Sequence, residues 1–290
     1  MILGYQAWRR LGELVSTIYA AGLHLENDGI ESFPFFLRQW RRRCFTAAFY
    51  MDKLIASFVG RPPLMNGRFC TLTAPLDLSD EVLVAGGDVL KKAISELDSA
   101  GWNRNGMLHL VTPIRLRYQL ATIREETLEV VLGTHEQHNL IQKSKYIFPS
   151  VPQYDLLLTF SFPYSEIQAK ARAIWEAAPD HLRYDRRLND NFHHGWLTIA
   201  YLYLDYLYTC FLLYRAVIRH TNTGQADLCD VSGRVLAIVV QINSFRTPMV
   251  DLDRHFSWIV CTGSVLYGRM RHTDECRSSH TVFLRLAFFF

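Results

Sequence analysis

The chain has 290 residues, 49% of them hydrophobic, which excludes a disordered segment and allows a sizeable core, in one large domain or two packed halves. A formal charge of +3 is too weak to mark a duplex-binding surface, because phosphate contacts need clustered Lys and Arg. The six cysteines are spread thinly, the closest pair (Cys261 and Cys276) being fifteen residues apart; this excludes metal-knuckle and redox motifs and reads as mostly buried thiols in a reducing compartment.

The opening MILGYQAWRR lacks the basic start and long apolar centre of a secretory signal. A first helix is predicted from about Gln6 to Leu25, where Trp8, Leu11, Val15, Ile18, Gly22 and Leu25 recur at steps of three and four. A second is predicted over Phe35 to Phe58, with Leu37, Trp40, Cys44, Ala48, Met51, Ile55 and Phe58 as its apolar face. Gly60 suits a left-handed cap, and Pro62 and Pro63 cannot continue a helix. Leu64 to Leu78 has turn chemistry, with Asn66-Gly67 inside it. Ser79 then caps a helix predicted to run to about Ser99, with Val82, Val89, Ala93 and Leu97 inward.

Gly101 to Gly106 reads as a loop, and Thr112-Pro113 as the N-cap and first position of a helix that turns Leu116, Leu120, Ile123, Thr127 and Val131 to one side until Gly133. Between Pro149 and Pro163 the run DLLLTFSF reads as a short strand or an irregular core crossing. Ser165 with Gln168 is a capping-box pattern ahead of Ile167, Ala171, Ile174 and Trp175, and Pro179 stops that helix. A long apolar helix over Phe192 to Arg219, a break at Thr221 to Gly224 and a helix near Val231 to Phe245 complete the pattern. The fold class is all-α, an irregular multi-helix bundle with a few short extended segments.

Trp196 to Ile218 is long enough to cross a bilayer, but Asp205 lies at its middle, and an ionised Asp there costs about 2.5 to 3.5 kcal/mol. A buried core helix fits better than a membrane span, so no membrane partner is expected.

No catalytic template is complete. His135 and His138 stand three apart rather than one full turn, with no third ligand evident, and adjacent His193 and His194 point about 100° apart. Neither pair reads as a metal site. Phosphate-binding glycine loops and serine elbows are absent. The densest basic cluster is Arg38, Arg41, Arg42 and Arg43 beside Trp40. It reads as a phosphate-binding or nuclear-import patch, or, in the plainer alternative, as a solvated face from which one arginine bends to a carboxylate or a helix end.

Trp40 to Pro63 reads WRRRCFTAAFYMDKLIASFVGRPP. This resembles the signature of the fungal-specific transcription factor domain, also called the xylanolytic activator regulatory domain or middle homology region, carried here by Arg41, Arg42, Arg43, Phe45, Asp52, Ser57, Gly60, Arg61 and Pro62. Ala7-Trp8, Gly12 and Ala21 to His24 resemble the helix before that signature, and Ala74-Pro75-Leu76 the proline turn after it. Further on, Trp175 with Pro179 to Tyr184, and Tyr206 to Arg215, resemble later segments of the family.

The resemblance spans about Gln6 to Trp258, which gives a regulatory domain over 1–258, apparently incomplete at both ends, and a divergent tail over 259–290 with the look of a truncated or misread gene product. It implies a regulator of transcription, possessed of no catalytic residues, that acts in the nucleus, or alternatively the cytoplasm. It also implies homo- or hetero-dimerisation with related regulators, contact with the transcription machinery, and a small-molecule effector whose binding residues are unassigned. The family's binuclear zinc cluster has no counterpart in these cysteines, so no cofactor and no direct DNA binding are expected. A stand-alone partner of full-length relatives, or a helical biosynthetic enzyme using the His-rich segments, are the alternatives. Asp52 and Arg61 are expected to pair and fix the turn at Gly60.

Overall fold

The computed structural model describes residues 2–26, 33–132, 153–184, 195–221 and 223–244. Among them are eight α-helices and no strand: α1 (Ile2–Ala20), α2 (Phe35–Val59), α3 (Asp80–Ala85), α4 (Gly87–Ser95), α5 (Val111–Leu132), α6 (Gln153–Ala177), α7 (Trp196–Thr221) and α8 (Gln225–Ser244). Two single 3₁₀ turns, Gly67–Phe69 and Asp180–Leu182, supplement them. Contacts divide the chain into two units, Met1–Asp205 and Tyr206–Phe290, with the division inside α7. The expected boundary at 258/259, His135, His138, His193, His194, Cys261 and Cys276 all lie outside the described residues.

The core of the first unit is built where α2 packs on α1 and α5. Leu11, Val15 and Ile18 of α1 meet Phe45, Ala48 and Phe49 of α2 and Ala121 of α5, and Met65 and Leu72 close the cluster from the loop after α2. Phe49 and Tyr118 cross edge to face with ring centres 5.4 Å apart, a favoured aromatic geometry. The three-four spacing read in α1 is thus its buried face. In α2 the rhythm misleads: Leu37, Trp40, Cys44 and Met51 are exposed, whereas Arg43, Phe45, Phe49, Asp52, Lys53 and Ala56 are buried. The reversal has a physical cause, since charged residues can be buried when each finds a partner.

Several boundaries also differ from expectation. α1 stops at Ala20, where Gly22 N–H donates to the Tyr19 carbonyl and Leu23 N–H to that of Ile18, a C-terminal motif that satisfies the last carbonyls. The helix expected from Ser79 to Ser99 is two helices. Ser79 Oγ does cap it, accepting from Val82 N–H, but Gly86 at φ 61° and ψ −155° breaks the run after Ala85. Side chains other than glycine's rarely tolerate that conformation. Leu83 then points inward and Val89 outward.

Thr112 does not cap its helix. Its Oγ1 accepts from His109 N–H and donates to Asp77, while α5 begins one residue earlier. The segment read as a strand or irregular crossing is helical from Gln153, and α6 runs straight through Pro163 and the Ser165–Gln168 pattern. Burying Tyr164, Ile167 and Ala171 and packing α6 on α5 outweigh the one hydrogen bond that proline removes. Burial raises the Tyr164 phenol to about 12.

In the second unit α8 starts six residues before the expected Val231, with Val231, Val235, Leu236, Ile238, Val239 and Ile242 buried. Cys210 is buried, Cys70 and Cys229 are half-buried, and Cys44 is exposed, so the reading of mostly buried thiols is corrected among the described cysteines.

Candidate functional site

The signature helix α2 is the natural centre of a functional site, and its charged residues fall into three groups. At its start Arg41, Arg42 and Arg43 fan around the axis at about 100° per residue. Arg41 Nη2 donates to the Gly22 carbonyl at 3.0 Å, and Arg42 Nη2 to Glu26 Oε1 at 2.7 Å, so both tie to the segment that follows α1. Arg43 is buried; it donates to Asp80 Oδ1 and to the Leu78 carbonyl, the latter at 2.8 Å, and its guanidinium lies 5.5 Å from the Trp40 ring centre. Sequence reasoning allowed one arginine to bend inward, and the structure commits all three. They do not form a solvated face.

The second group is a buried ion cluster at the middle of α2. Asp52 and Lys53 are both fully buried. Asp52 accepts from Leu64 N–H (2.8 Å), Met65 N–H (3.0 Å) and Lys53 Nζ (2.8 Å). Lys53 also pairs with Glu125 of α5 at 3.1 Å, donates to the Met65 carbonyl and sits 4.1 Å from the Phe49 ring centre. The expected Asp52–Arg61 pair does not form. Arg61 is exposed and its guanidinium lies 5.7 Å from the Trp8 ring centre. The reason is reach: the chain leaving Gly60 turns the amides of Leu64 and Met65, not the Arg61 head, onto Asp52. Gly60 itself ends α2 at φ 69°, with Gly60 and Arg61 N–H both donating to the Ala56 carbonyl, and Pro62 follows on the surface.

The third group centres on Asp205, which Tyr50 of α2 reaches. Asp205 of α7, buried at 2% exposure, accepts from Tyr50 Oη at 2.8 Å and from Arg117 Nε at 3.0 Å, with Arg124 Nη2 at 3.6 Å and also donating to the Asp205 carbonyl at 2.9 Å. Burial, then the Asp205 charge, pushes the Tyr50 phenol far above its ordinary range. Burial pulls the Arg117 guanidinium down, but Asp205 and Tyr50 more than offset it and the net direction is up. This is where the central aspartate of the one helix among the described residues that is long and apolar enough to cross a membrane finds its partners; most of that apolar stretch is buried.

Beyond α2, Asp77 organises a neighbouring wall. Its carboxylate accepts from Thr112 Oγ1 at 2.6 Å and from both the backbone N–H and the side-chain amide of Asn103. Arg115 donates to the Pro75 and Ala100 carbonyls and lies 4.8 Å from the Trp102 ring centre; burial lowers its pKa. Arg43 anchors Leu78 and Asp80 beside this wall, and a cleft of about 740 Å³ opens next to it, lined by Leu78, Val82, Leu97, Asn103, Met107 and His109 among others.

Lys53, Asp77, Asn103, Glu125 and Arg124 were not singled out from sequence. The one available signal was Asp52-Lys53 set between apolar neighbours on a helix read as buried. Among the described residues no three His, Cys, Asp or Glu side chains assemble as metal ligands.

Residues 3–82 match the family described as the fungal specific transcription factor domain. This stretch carries that domain. The matched span, 80 of the 290 residues, holds every signature residue from Arg41 to Pro62, all of α2, all of α1 but Ile2, and the Arg43–Asp80 tie. The later segments, Trp175 to Tyr184 and Tyr206 to Arg215, lie beyond the matched span. No curated protein and no solved structure matches the chain.

Proposed function

We propose that the chain is the regulatory body of a fungal zinc-cluster-type transcription factor, acting in the nucleus through contacts with other proteins and with no catalytic step or DNA contact of its own. The observation that carries this reading is the use of the signature arginines. A basic run that served DNA would present its guanidiniums to solvent for phosphate. Here Arg41, Arg42 and Arg43 are each held by a carbonyl or carboxylate of the same chain, so the domain signature builds a helical scaffold.

The chain fused to an unrelated DNA-binding module in a fungal host tests the reading. Reporter output is expected to change at least severalfold relative to the module alone, and the purified chain is expected to leave duplex DNA unshifted at micromolar concentration and low salt. An unchanged reporter, or tight salt-sensitive binding to duplex, would refute it.

A further inference from the structure

The cleft of about 740 Å³ lies between α3, α4 and the loop that joins α4 to α5, within the first unit. It falls in the size range of pockets that take metabolite-sized molecules. Its shape depends on the break at Gly86, which folds α4 back against α3. Leu78, Val82, Ala93, Leu97 and Met107 give it an apolar lining; Glu96 and Arg104 carry opposite charges on its exposed edge, and the remaining carboxylate, Asp77, is already met by three donors of the chain itself.

One buried polar atom in this lining is unspent. Asn103 is more than nine-tenths buried, and its amide orientation is fixed by chemistry: the NH₂ faces two acceptors, Asp77 Oδ2 and the Met107 carbonyl, so it cannot be exchanged with the oxygen. That leaves Oδ1 as a buried acceptor with no partner. Asp77 accepts from Thr112 on Oδ1 and from both Asn103 N–H groups on Oδ2, and so holds the amide in place.

We infer that this cleft binds a small, uncharged, largely apolar molecule that donates one hydrogen bond, from a hydroxyl or N–H group, to Asn103 Oδ1. The apolar skeleton lies on Leu78, Val82, Leu97 and Met107. The inference stands on the cleft alone, so its failure would leave the regulatory reading untouched.

N-phenyl-1-naphthylamine, an uncharged fluorophore with a single N–H, serves as the probe on the full chain. One saturable site per chain is expected. 1-Benzylnaphthalene, which replaces that N–H by CH₂ at nearly the same shape, is expected to compete about tenfold more weakly, because it leaves the amide oxygen unpaired. Ala93→Trp, which fills the cleft from α4, is expected to abolish saturable binding while the circular dichroism and melting temperature stay at wild-type values. If Ala93→Trp does not fold, Leu97→Phe with the same checks replaces it. Absence of saturable binding, binding indifferent to the filled cleft, or equal affinity for the N–H and CH₂ compounds would each overturn the inference.

Discussion

Asp52→Ala and Arg61→Ala, compared in the same buffer, test what holds the turn after α2. Asp52 gives three buried bonds, to Lys53 Nζ and to the amides of Leu64 and Met65. Buried hydrogen bonds to a charged group are worth about 1.5 to 3 kcal/mol each, but Lys53 keeps Glu125 and the Met65 carbonyl, so it is not wholly orphaned. The expected loss is about 3 to 5 kcal/mol, the usual cost of removing one partner from a buried ion pair. Arg61→Ala removes only an exposed guanidinium over Trp8, at a cost of about 0.5 to 1 kcal/mol. Urea unfolding followed by circular dichroism, with the slope checked for constancy, reads both values. Since domains hold only about 5 to 15 kcal/mol in total, Asp52→Asn, which keeps the shape and one acceptor, serves if the alanine variant fails to fold. Equal losses for the two positions, or a loss under about 1 kcal/mol for Asp52→Ala set against the ranges above, would refute the reasoning.

Glycine substitutions separate backbone demand from packing. No atom would meet a Cβ within 4 Å at Gly86 or at Gly12, so Gly86→Ala is expected to cost about 1 to 3 kcal/mol from its φ of 61° alone, whereas Gly12→Ala, inside α1, gains about 0.5 to 1 kcal/mol. Denaturant midpoints distinguish the signs. His181 supplies a pH dependence: burial, together with the nearby His109 and against Asp77 and Asp180, holds its pKa below the ordinary 6.5. The unfolded chain therefore takes the proton first, so the His181 contribution is complete above about pH 6.5 and is lost as pH falls through the folded value. His181→Gln is expected to flatten the decline in melting temperature just below pH 6.5, and an unchanged slope would contradict this assignment.

The helices of the first unit were legible wherever spacing and punctuation agreed. α2 was placed to within a residue because Gly60 and Pro62 mark its end, and α1 gave its buried face because Leu11, Val15 and Ile18 have no polar competitors there. Which face of α2 turns inward was not legible. Hydrophobicity favours Trp40 and Met51, and only the three-dimensional arrangement supplies Asp80, Met65 and Glu125 as partners that let Arg43 and Lys53 be buried instead. The break at Gly86-Gly87 was readable in principle but was masked by good helix formers on both sides. Helical continuation through Pro163 depends on α5 as a packing surface, which no local pattern encodes. The cleft and its Asn103 were invisible for the same reason, since Asp77 and Asn103 are twenty-six positions apart.

The three adjacent arginines have a mechanical consequence. Gly22, Glu26 and Asp80 are gripped from neighbouring positions on one helix. Advancing α2 by a single residue would translate it about 1.5 Å and turn it about 100°, enough to misalign all three grips together. The helix therefore behaves like a key cut with three wards, which turns in one alignment and in no intermediate one. Its position responds to a push as a step, not as a gradual slide.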